Sequence, residues 1–278
     1  MAFSIAAFAD EAGSMIDEQI GAMKENNVTL LEIRTVDGQN IADISPEKAR
    51  EVRKKLEAHG LAVWSLGSPY GKIGIEGDID AHIEKMKRGL ELAQVLGAKH
   101  IRLFSFYVPE DHPEDFEGPV MEAMSRMVRA AEGSGVMLCH ENEKGIFGSN
   151  AARCLKIHET FPEIRAVFDP ANFIQCGQDT KEAWNLLSSF VEYMHIKDAL
   201  EDGSVVPAGE GIGELPYLLG QYRGQVLTVE PHLTVFPGFE KLEAVEKAKH
   251  RYTYASSREA FRVAVEALRK LSEQDREI

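Results

Sequence analysis

The amino-acid sequence predicts an α/β fold, a (β/α)8 TIM barrel that forms one domain over residues 1–278. Three observations lead to this prediction. Short apolar runs alternate with longer amphipathic runs along the chain, as strands and helices do in parallel α/β proteins. A glycine joint between a helical run and an apolar run recurs about every 37 residues, close to the length of one βα unit. Eight apolar runs occur in 278 residues, which is the size of such a barrel.

The predicted strands are short apolar segments. They cover residues 3–10, 29–36, 61–67, 98–106, 136–143, 165–170, 191–198 and 225–230. An open doubly wound sheet is the rival architecture for a chain of this length. No strand-to-helix turn carries the GxGxxG motif that would favour it, so the barrel is the better prediction.

Helix signals lie between these strands. Ser14, with Asp17 as its capping partner, predicts the start of the first helix, and Ser45-Pro46 predicts the start of the second. Further helices are predicted over residues 150–160, 180–189 and 256–272.

Three joints repeat one pattern, in "EAHGLAVWSLG", "QVLGAKHIRLFSF" and "EGSGVMLCHENE". Each places a glycine where a helix would end, just before an apolar strand. Glycine suits this place because the residue after a helix often adopts the left-handed conformation. The glycines are Gly60, Gly97 and Gly135.

The composition restricts the class of protein. The formal net charge of −14 disfavours a nucleic-acid partner, because phosphate neutralisation dominates non-specific binding. Three cysteines without CxxC spacing predict free thiols in a reducing cytosol. No apolar run approaches the roughly 18 residues that span a bilayer, and no Lys or Arg precedes the apolar start of the chain. We therefore expect a cytoplasmic protein with no membrane partner and no signal peptide.

Four consecutive predicted strands have, at their carboxyl ends, residues that can bind metals or transfer protons. They are Glu141, Asp169, His195 and Glu230, spaced about one βα unit apart. Because strand ends meet at one rim of a barrel, we expect these side chains to lie together. Three carboxylates and an imidazole are costly to desolvate without a cation. An oxygen-rich set with one nitrogen suits Mn²⁺, Mg²⁺, Co²⁺ or Zn²⁺, so one divalent metal ion is predicted as the cofactor. His140 and His232 are expected to fill ordinary structural roles.

Five segments in order carry a resemblance to a known family: "HENEKG", "FDPANF", "HIKDA", "PAGEGIGELP" and "VEPHL". Over almost its whole length the chain resembles the sugar isomerase/epimerase superfamily with a xylose isomerase-like barrel. The resemblance implies that one divalent metal is held by Glu141, Asp169, His195 and Glu230. The family's Glu-Asn pair matches Glu141-Asn142, which favours Glu141 over Glu143 as the ligand after strand five. Glu143 then supports the ligands or binds substrate.

The resemblance also implies an enzyme that removes a proton from the carbon next to the carbonyl of a small carbohydrate. The metal would stabilise the resulting cis-enediolate. Glu141 and Glu230, on opposite faces of the substrate, would act as base and acid. Lys197 shares the inward face with His195. It would orient a substrate hydroxyl, stabilise the developing oxyanion, or form a salt bridge with Asp198 or Glu230.

Other side chains near strand ends are candidate substrate contacts: Arg34, Ser68, Lys72 and Asn172. Asn172 stands where many relatives have His, and it can hold a hydroxyl but cannot transfer a proton near neutral pH. Trp64 and Phe104 would stack on a sugar or serve as core. The loop 207–211 is a candidate to close over the substrate, and its backbone N–H groups are a candidate phosphate site.

Alternatives to a sugar isomerase/epimerase remain open at this point. A dehydratase of a keto-sugar or inosose on the same scaffold shares the enediolate and then expels a hydroxyl. An endonuclease needs extra histidines for a multi-metal cluster, which the chain does not supply at the matching places, and a non-catalytic sugar-binding barrel needs no base. The particular sugar, its phosphorylation and the choice of metal are not predicted. A homo-oligomer is compatible with the resemblance.

Overall fold

Eight parallel strands close into a barrel in the computed structural model, which describes residues 3–234 and 252–274. The strands are β1 Ser4–Ala7, β2 Leu30–Ile33, β3 Ala62–Gly67, β4 His100–Leu103, β5 Met137–Glu141, β6 Ile164–Phe168, β7 Val191–Ile196 and β8 Val226–Val229. Strand β1 closes the barrel by pairing with β2 on one side and with β8 on the other. The predicted barrel is confirmed, and each strand lies within its predicted run or overlaps it.

Helices alternate with these strands around the outside of the barrel. They are α1 Ile16–Glu25, α2 Pro46–Ala58, α3 Ile79–Leu96, α4 Glu117–Ala131, α5 Ala151–Thr160, α6 Pro170–Gln175, α7 Thr180–Leu187, α8 Leu215–Gln221 and α9 Ser257–Gln274. No helix in the described ranges is long and apolar enough to cross a bilayer.

The predicted start of the second helix is confirmed, and that of the first is wrong. Ser45 Oγ accepts a hydrogen bond from the backbone N–H of Lys48, and Pro46 is the first residue of α2. Helix α1 begins at Ile16, so the residue that precedes the helix is Met15 and not the predicted Ser14. The reason is a distant cap: the carboxylate of Asp37, in the loop after β2, accepts the Ile16 N–H at 2.8 Å.

The three glycine joints have the predicted conformation. Gly60, Gly97 and Gly135 have φ values of +71°, +78° and +72°. Residues with a side chain rarely adopt this left-handed region. Gly60 and Gly97 lie at the ends of α2 and α3, as predicted. Helix α4 ends at Ala131, four residues before Gly135, so the prediction that Gly135 ends this helix is wrong.

The interior of the barrel changes character along the strands. Toward the amino ends a small apolar cluster fills it, which includes Ala6, Cys139, Val167, Tyr193 and Val226. The next inward positions toward the carboxyl ends are polar, because strand side chains alternate between the barrel interior and the helices. The carboxyl-end rim consequently has buried charged side chains and borders a pocket.

The loop after β7 is organised around one carboxylate. Asp198 accepts hydrogen bonds of 2.9–3.1 Å from the backbone N–H groups of Ala199, Gly209, Gly211 and Gly213. A carboxylate of the protein therefore occupies the N–H groups that were candidates for holding a phosphate. The fixed loop carries the chain from the rim back to α8.

We predict that Asp198→Asn destabilises the fold by about 2–3 kcal/mol. The amide oxygen cannot accept all four hydrogen bonds, and the amide NH₂ group would face backbone N–H groups that are themselves donors. Urea unfolding would measure this change. Asp179→Asn is the matched control: Asp179 accepts only the Glu182 N–H at an exposed helix start, where Asn is an equally good cap. Equal stability of both variants would contradict this account of the loop.

Candidate metal centre and its pocket

The four predicted metal ligands come together at the carboxyl ends of four adjacent strands. One ligand atom from each side chain lies within 4.8 Å of the others, and all four side chains are buried. They are Glu141 of β5, Asp169 after β6, His195 of β7 and Glu230 after β8. The geometry is that of a centre which one small cation fits.

His195 lies among three carboxylates. Its Nδ1 is 3.0 Å from Glu141 Oε1 and 3.3 Å from Glu230 Oε2, while its Nε2 is 3.1 Å from Glu32 Oε2. Burial alone would lower the pKa of His195, but the carboxylates of Glu141 and Glu32 outweigh burial and raise it. Without a cation, the ring is therefore held as an imidazolium.

The two carboxylate oxygens of Asp169 have different roles: one caps a helix and the other lies in the cluster of possible metal ligands. Its Oδ1 accepts the Asn172 N–H at 2.8 Å and caps α6. Its Oδ2 is buried and lies 3.0 Å from Lys197 Nζ, without accepting a well-aligned hydrogen bond from any described residue. Burial raises the pKa of Asp169 to about 7 despite Lys197. Oδ2 is thus the atom available to a metal.

Two asparagines hold the carboxylates in place. The Asn142 side chain donates to the Asp169 carbonyl at 2.8 Å and accepts the Asp169 N–H at 3.0 Å, which joins the ends of β5 and β6. Asn172 Nδ2 donates to Glu141 Oε1 at 3.1 Å and to the Asn142 carbonyl at 3.0 Å. Asn172 contacts the ligands from behind, and its role in binding substrate stays a prediction.

The buried charges at this rim do not balance. Apart from Asp198, which accepts the N–H groups of its own loop, six carboxylates are at most 3% exposed, and the Lys and Arg side chains among them number three. The carboxylates are Asp10, Glu11, Glu32, Glu141, Asp169 and Glu230, and the cations are Arg34, Arg102 and Lys197. Burial raises the pKa of Glu11 to about 8 and that of Asp169 to about 7, and carboxylate neighbours raise the pKa of His195. The protons on these groups offset the excess of negative charge. A divalent cation would offset the same charge, so the residues fit a metal ion.

The predicted anion contact Arg34 is engaged by the protein itself. Its guanidinium contacts both Asp10 oxygens at 2.9 and 3.0 Å, Glu11 at 3.1 Å and Glu230 at 3.3 Å. Arg102 Nη1 donates to Glu141 Oε2 at 2.7 Å. Burial would raise the pKa of Glu141, but His195 and Arg102 together lower it. The two arginines therefore hold the two carboxylates at opposite ends of the centre.

A narrow pocket adjoins the cluster at Glu230. Arg34, Asn40, Gly67, Ser68, Pro69, Lys72, Arg102, Phe104, Glu143, Glu230 and His232 line it. Lys72 Nζ lies 4.3 Å from the centre of the Phe104 ring and 2.9 Å from Glu143 Oε2. Trp64 does not line this pocket; it stacks on His100 at 4.1 Å, nearer the amino ends of the strands. Glu143 belongs to the pocket wall, and the metal cluster contains Glu141.

A family model described as xylose isomerase-like TIM barrel matches residues 20–221. The chain belongs to this family. No curated protein matches it.

Solved structures share the fold over nearly the whole chain. An L-ribulose 3-epimerase has 17% identity and a TM-score of 0.73, with 100% of this chain and 96% of the other covered. The IOLI protein with a bound zinc atom has 16% identity and a TM-score of 0.73, with 97% and 98% covered. The probable 3-DHS dehydratase AsbF from Bacillus anthracis has 13% identity and a TM-score of 0.71, with 97% and 99% covered. At these identities the comparisons support the fold.

Sequence reasoning missed four charged residues of this xylose isomerase-like barrel: Asp10, Glu11, Glu32 and Arg102. Asp10 and Glu11 directly follow β1, and the rule that functional groups follow strand ends would have found them. Glu32 and Arg102 lie within apolar runs, where only strand alternation indicates that they face the barrel interior. Glu11, Glu230 and His232 form a second close group of possible ligands, and Arg34 bridges Glu11 and Glu230 within it.

We predict that Asn142→Asp destabilises this barrel by about 3–5 kcal/mol, because it replaces the donor to the Asp169 carbonyl with an uncompensated buried charge beside the acidic cluster. Thermal and urea unfolding would measure the change. Asn150→Asp is the matched control, since Asn150 only caps α5 and Asp caps equally well. A neutral effect at both positions would contradict the role assigned to Asn142.

Proposed function

We propose that the chain is a divalent-metal-dependent sugar isomerase or epimerase that acts by proton abstraction next to a carbonyl. The observation that carries this proposal is the meeting of four ligand atoms within 4.8 Å beside a pocket that one of them, Glu230, lines. An excess of buried negative charge supports a resident cation. The fold shared with an L-ribulose 3-epimerase and with a zinc-containing protein is compatible with this chemistry.

Glu141, Asp169, His195 and Glu230 would hold one Mn²⁺, Mg²⁺, Co²⁺ or Zn²⁺ ion. When bound, such an ion polarises a substrate carbonyl and offsets negative charge as it develops on the oxygens. Arg34, Arg102, Asn142 and Asn172 fix the ligand atoms before any substrate arrives. This arrangement is preorganised, because each supporting side chain is itself buried and hydrogen-bonded.

Glu230 is the carboxylate that substrate meets first. It lines the pocket, whereas Glu141 lies behind Arg102 and is not among the described lining residues. Glu230 would take the proton from the carbon next to the carbonyl, which gives an enediolate. In an epimerisation Glu141 would first take up a proton from solvent and then give it to the opposite face of the enediolate, and Glu230 would release its proton to solvent to restore the resting enzyme. Lys197 Nζ lies 3.1 Å from Glu230 Oε2 and would donate a hydrogen bond to a substrate hydroxyl or oxyanion.

We infer that the substrate is an uncharged sugar. Each Lys or Arg that lines the pocket contacts a carboxylate of the protein: Arg34 contacts Asp10 and Glu230, Arg102 contacts Glu141, and Lys72 contacts Glu143. A phosphate would have to displace one of these partners and face the remaining acidic groups. Sugar hydroxyls, in contrast, find donors and acceptors together with the face of Phe104.

Lys197 is the observation that favours a dehydratase as a second candidate. A dehydratase needs a group that protonates the departing hydroxyl, and the buried Lys197 ammonium between Asp169 and Glu230 would serve as that group. The first proton abstraction by Glu230 is the same in both reactions. The two candidates differ in the product, because dehydration lowers the mass by one water and epimerisation leaves it unchanged.

We predict that purified protein binds one divalent ion and exchanges the proton next to the carbonyl of unphosphorylated ketoses in D₂O. Glu230→Gln should lower this exchange at least 100-fold, because it removes the pocket-facing base and a ligand. Deuterium incorporation by NMR, product mass and metal content are the measurements. Glu141→Gln, Asp169→Asn and His195→Ala should each lose the metal or abolish turnover.

The control is Glu201→Gln, the same substitution at an exposed loop position. Full metal occupancy and exchange in Glu230→Gln would refute the assignment of Glu230. Sugar binding without deuterium exchange in the wild type would instead indicate a non-catalytic barrel. Water loss would assign the protein as a dehydratase.

We predict that metal affinity rises as pH increases from 6 to 8 and that metal uptake releases at least one proton at pH 6. In the metal-free centre the pKa of Asp169 is raised to about 7 and that of His195 is raised too, so both hold protons at pH 6. Ligands must lose these protons before they bind a cation. Titration calorimetry in two buffers of different ionisation enthalpy measures both quantities. An affinity independent of pH, with no proton release, would contradict the protonated state of the empty centre.

A further inference from the structure

Glu32 lies deeper in the barrel than the four proposed ligands and touches only one of them. Its side chain is fully buried, and its Oε2 lies 3.1 Å from His195 Nε2. Among the described residues, His195 is the one ion-pair partner of Glu32. A buried carboxylate needs a donor, and on this oxygen the donor is the imidazole.

The two nitrogens of His195 face different surroundings. Nε2 points at Glu32, and Nδ1 points at Glu141 and Glu230, where the proposed metal would bind. When Glu32 Oε2 accepts the hydrogen bond in this contact, Nε2 carries the hydrogen and the neutral ring has its lone pair on Nδ1. The hydrogen bond made by one ring nitrogen decides which tautomer the other presents.

The second carboxylate oxygen of Glu32 also accepts hydrogen bonds from the protein. Oε1 accepts a hydrogen bond from the Tyr193 hydroxyl at 2.7 Å and from the Ser65 hydroxyl at 3.3 Å. The register shifts by one residue in two barrel pairings, between Leu31 and Glu32 against β3 and between Ala166 and Val167 against β7. The shifts place Ser65 opposite Glu32 and Tyr193 opposite Val167. Such irregularities re-aim side chains, and here each lies next to a hydroxyl that contacts Glu32.

We propose that Glu32 is a positioning residue that fixes the tautomer and orientation of His195, so that Nδ1 presents its lone pair to the metal. This inference rests on the proposed function, because it requires a metal at the cluster. Glu32 does not contact the pocket and does not take part in proton transfer with substrate. Its effect is on the affinity of the ligand set for the cation.

The test compares the Zn²⁺ dissociation constants of the wild type and three variants by competition with a chelator. Glu32→Gln should weaken binding 10–100-fold, the usual effect of losing the partner of a metal-bound histidine. Glu32→Asp keeps the charge but is one methylene too short to reach His195, and it should weaken binding similarly. Glu201→Gln, the same substitution at an exposed loop position, should stay within about threefold of the wild type.

A second readout separates positioning from charge. In the zinc-loaded wild type, histidine ¹H–¹⁵N spectra should give His195 as a single tautomer with a slowly exchanging Nε2–H. Glu32→Gln and Glu32→Asp should lose this protection or show two forms.

Wild-type affinity together with the wild-type spectrum in Glu32→Asp would overturn the inference, and this variant decides the matter if Glu32→Gln does not fold. A wild type that binds no metal would overturn the proposed function and this inference with it, whereas strong binding in all variants would overturn this inference alone.

Discussion

The structure of the rim depends on an imbalance of buried charge. Six carboxylates point into a space that also contains two arginines, one lysine and two histidines, His195 and His232. Two unit charges 4 Å apart interact by about 4 kcal/mol at an effective dielectric constant of about 20, so uncompensated repulsion of this kind would open the barrel mouth. Raised pKa values at Glu11, Asp169 and His195 are the response of the protein when no cation is bound. A divalent ion would replace those protons with a fixed charge.

The same imbalance explains why each proposed ligand has a protein partner. Arg102 holds Glu141, Arg34 holds Glu230, Asn142 holds the backbone of Asp169, and Glu32 holds His195. These partners come from strands and loops on the far side of the barrel as well as from neighbouring strands. The ligand atoms therefore have little freedom to move apart, and the entropy cost of assembling the centre is met when the chain folds.

Features that depend on local pattern were predictable from the sequence. The eight strands follow from apolar runs, the ends of α2 and α3 follow from Gly60 and Gly97, and Glu141 and Asp169 follow from their places at strand ends. The supporting contacts were not predictable, because they depend on barrel closure. Arg34 and Glu230 are 196 residues apart and meet only because β1 pairs with both β2 and β8. The cap of α1 fails as a local prediction for the same reason, since Asp37 supplies it from the next βα unit.

The separation of Glu230 from Glu141 bears on how one scaffold accommodates several reactions. Glu230 faces the pocket, so in the proposed mechanism abstraction of the first proton would need no rearrangement of the site. Glu141 does not line the pocket and binds Arg102 at 2.7 Å through Oε2, so a substrate would reach that oxygen by drawing the guanidinium away. A reaction that uses one carboxylate can therefore proceed on the resting geometry. A two-carboxylate epimerisation requires in addition that a substrate hydroxyl or oxyanion engage Arg102, which makes this arginine the contact through which substrate shape would determine the product.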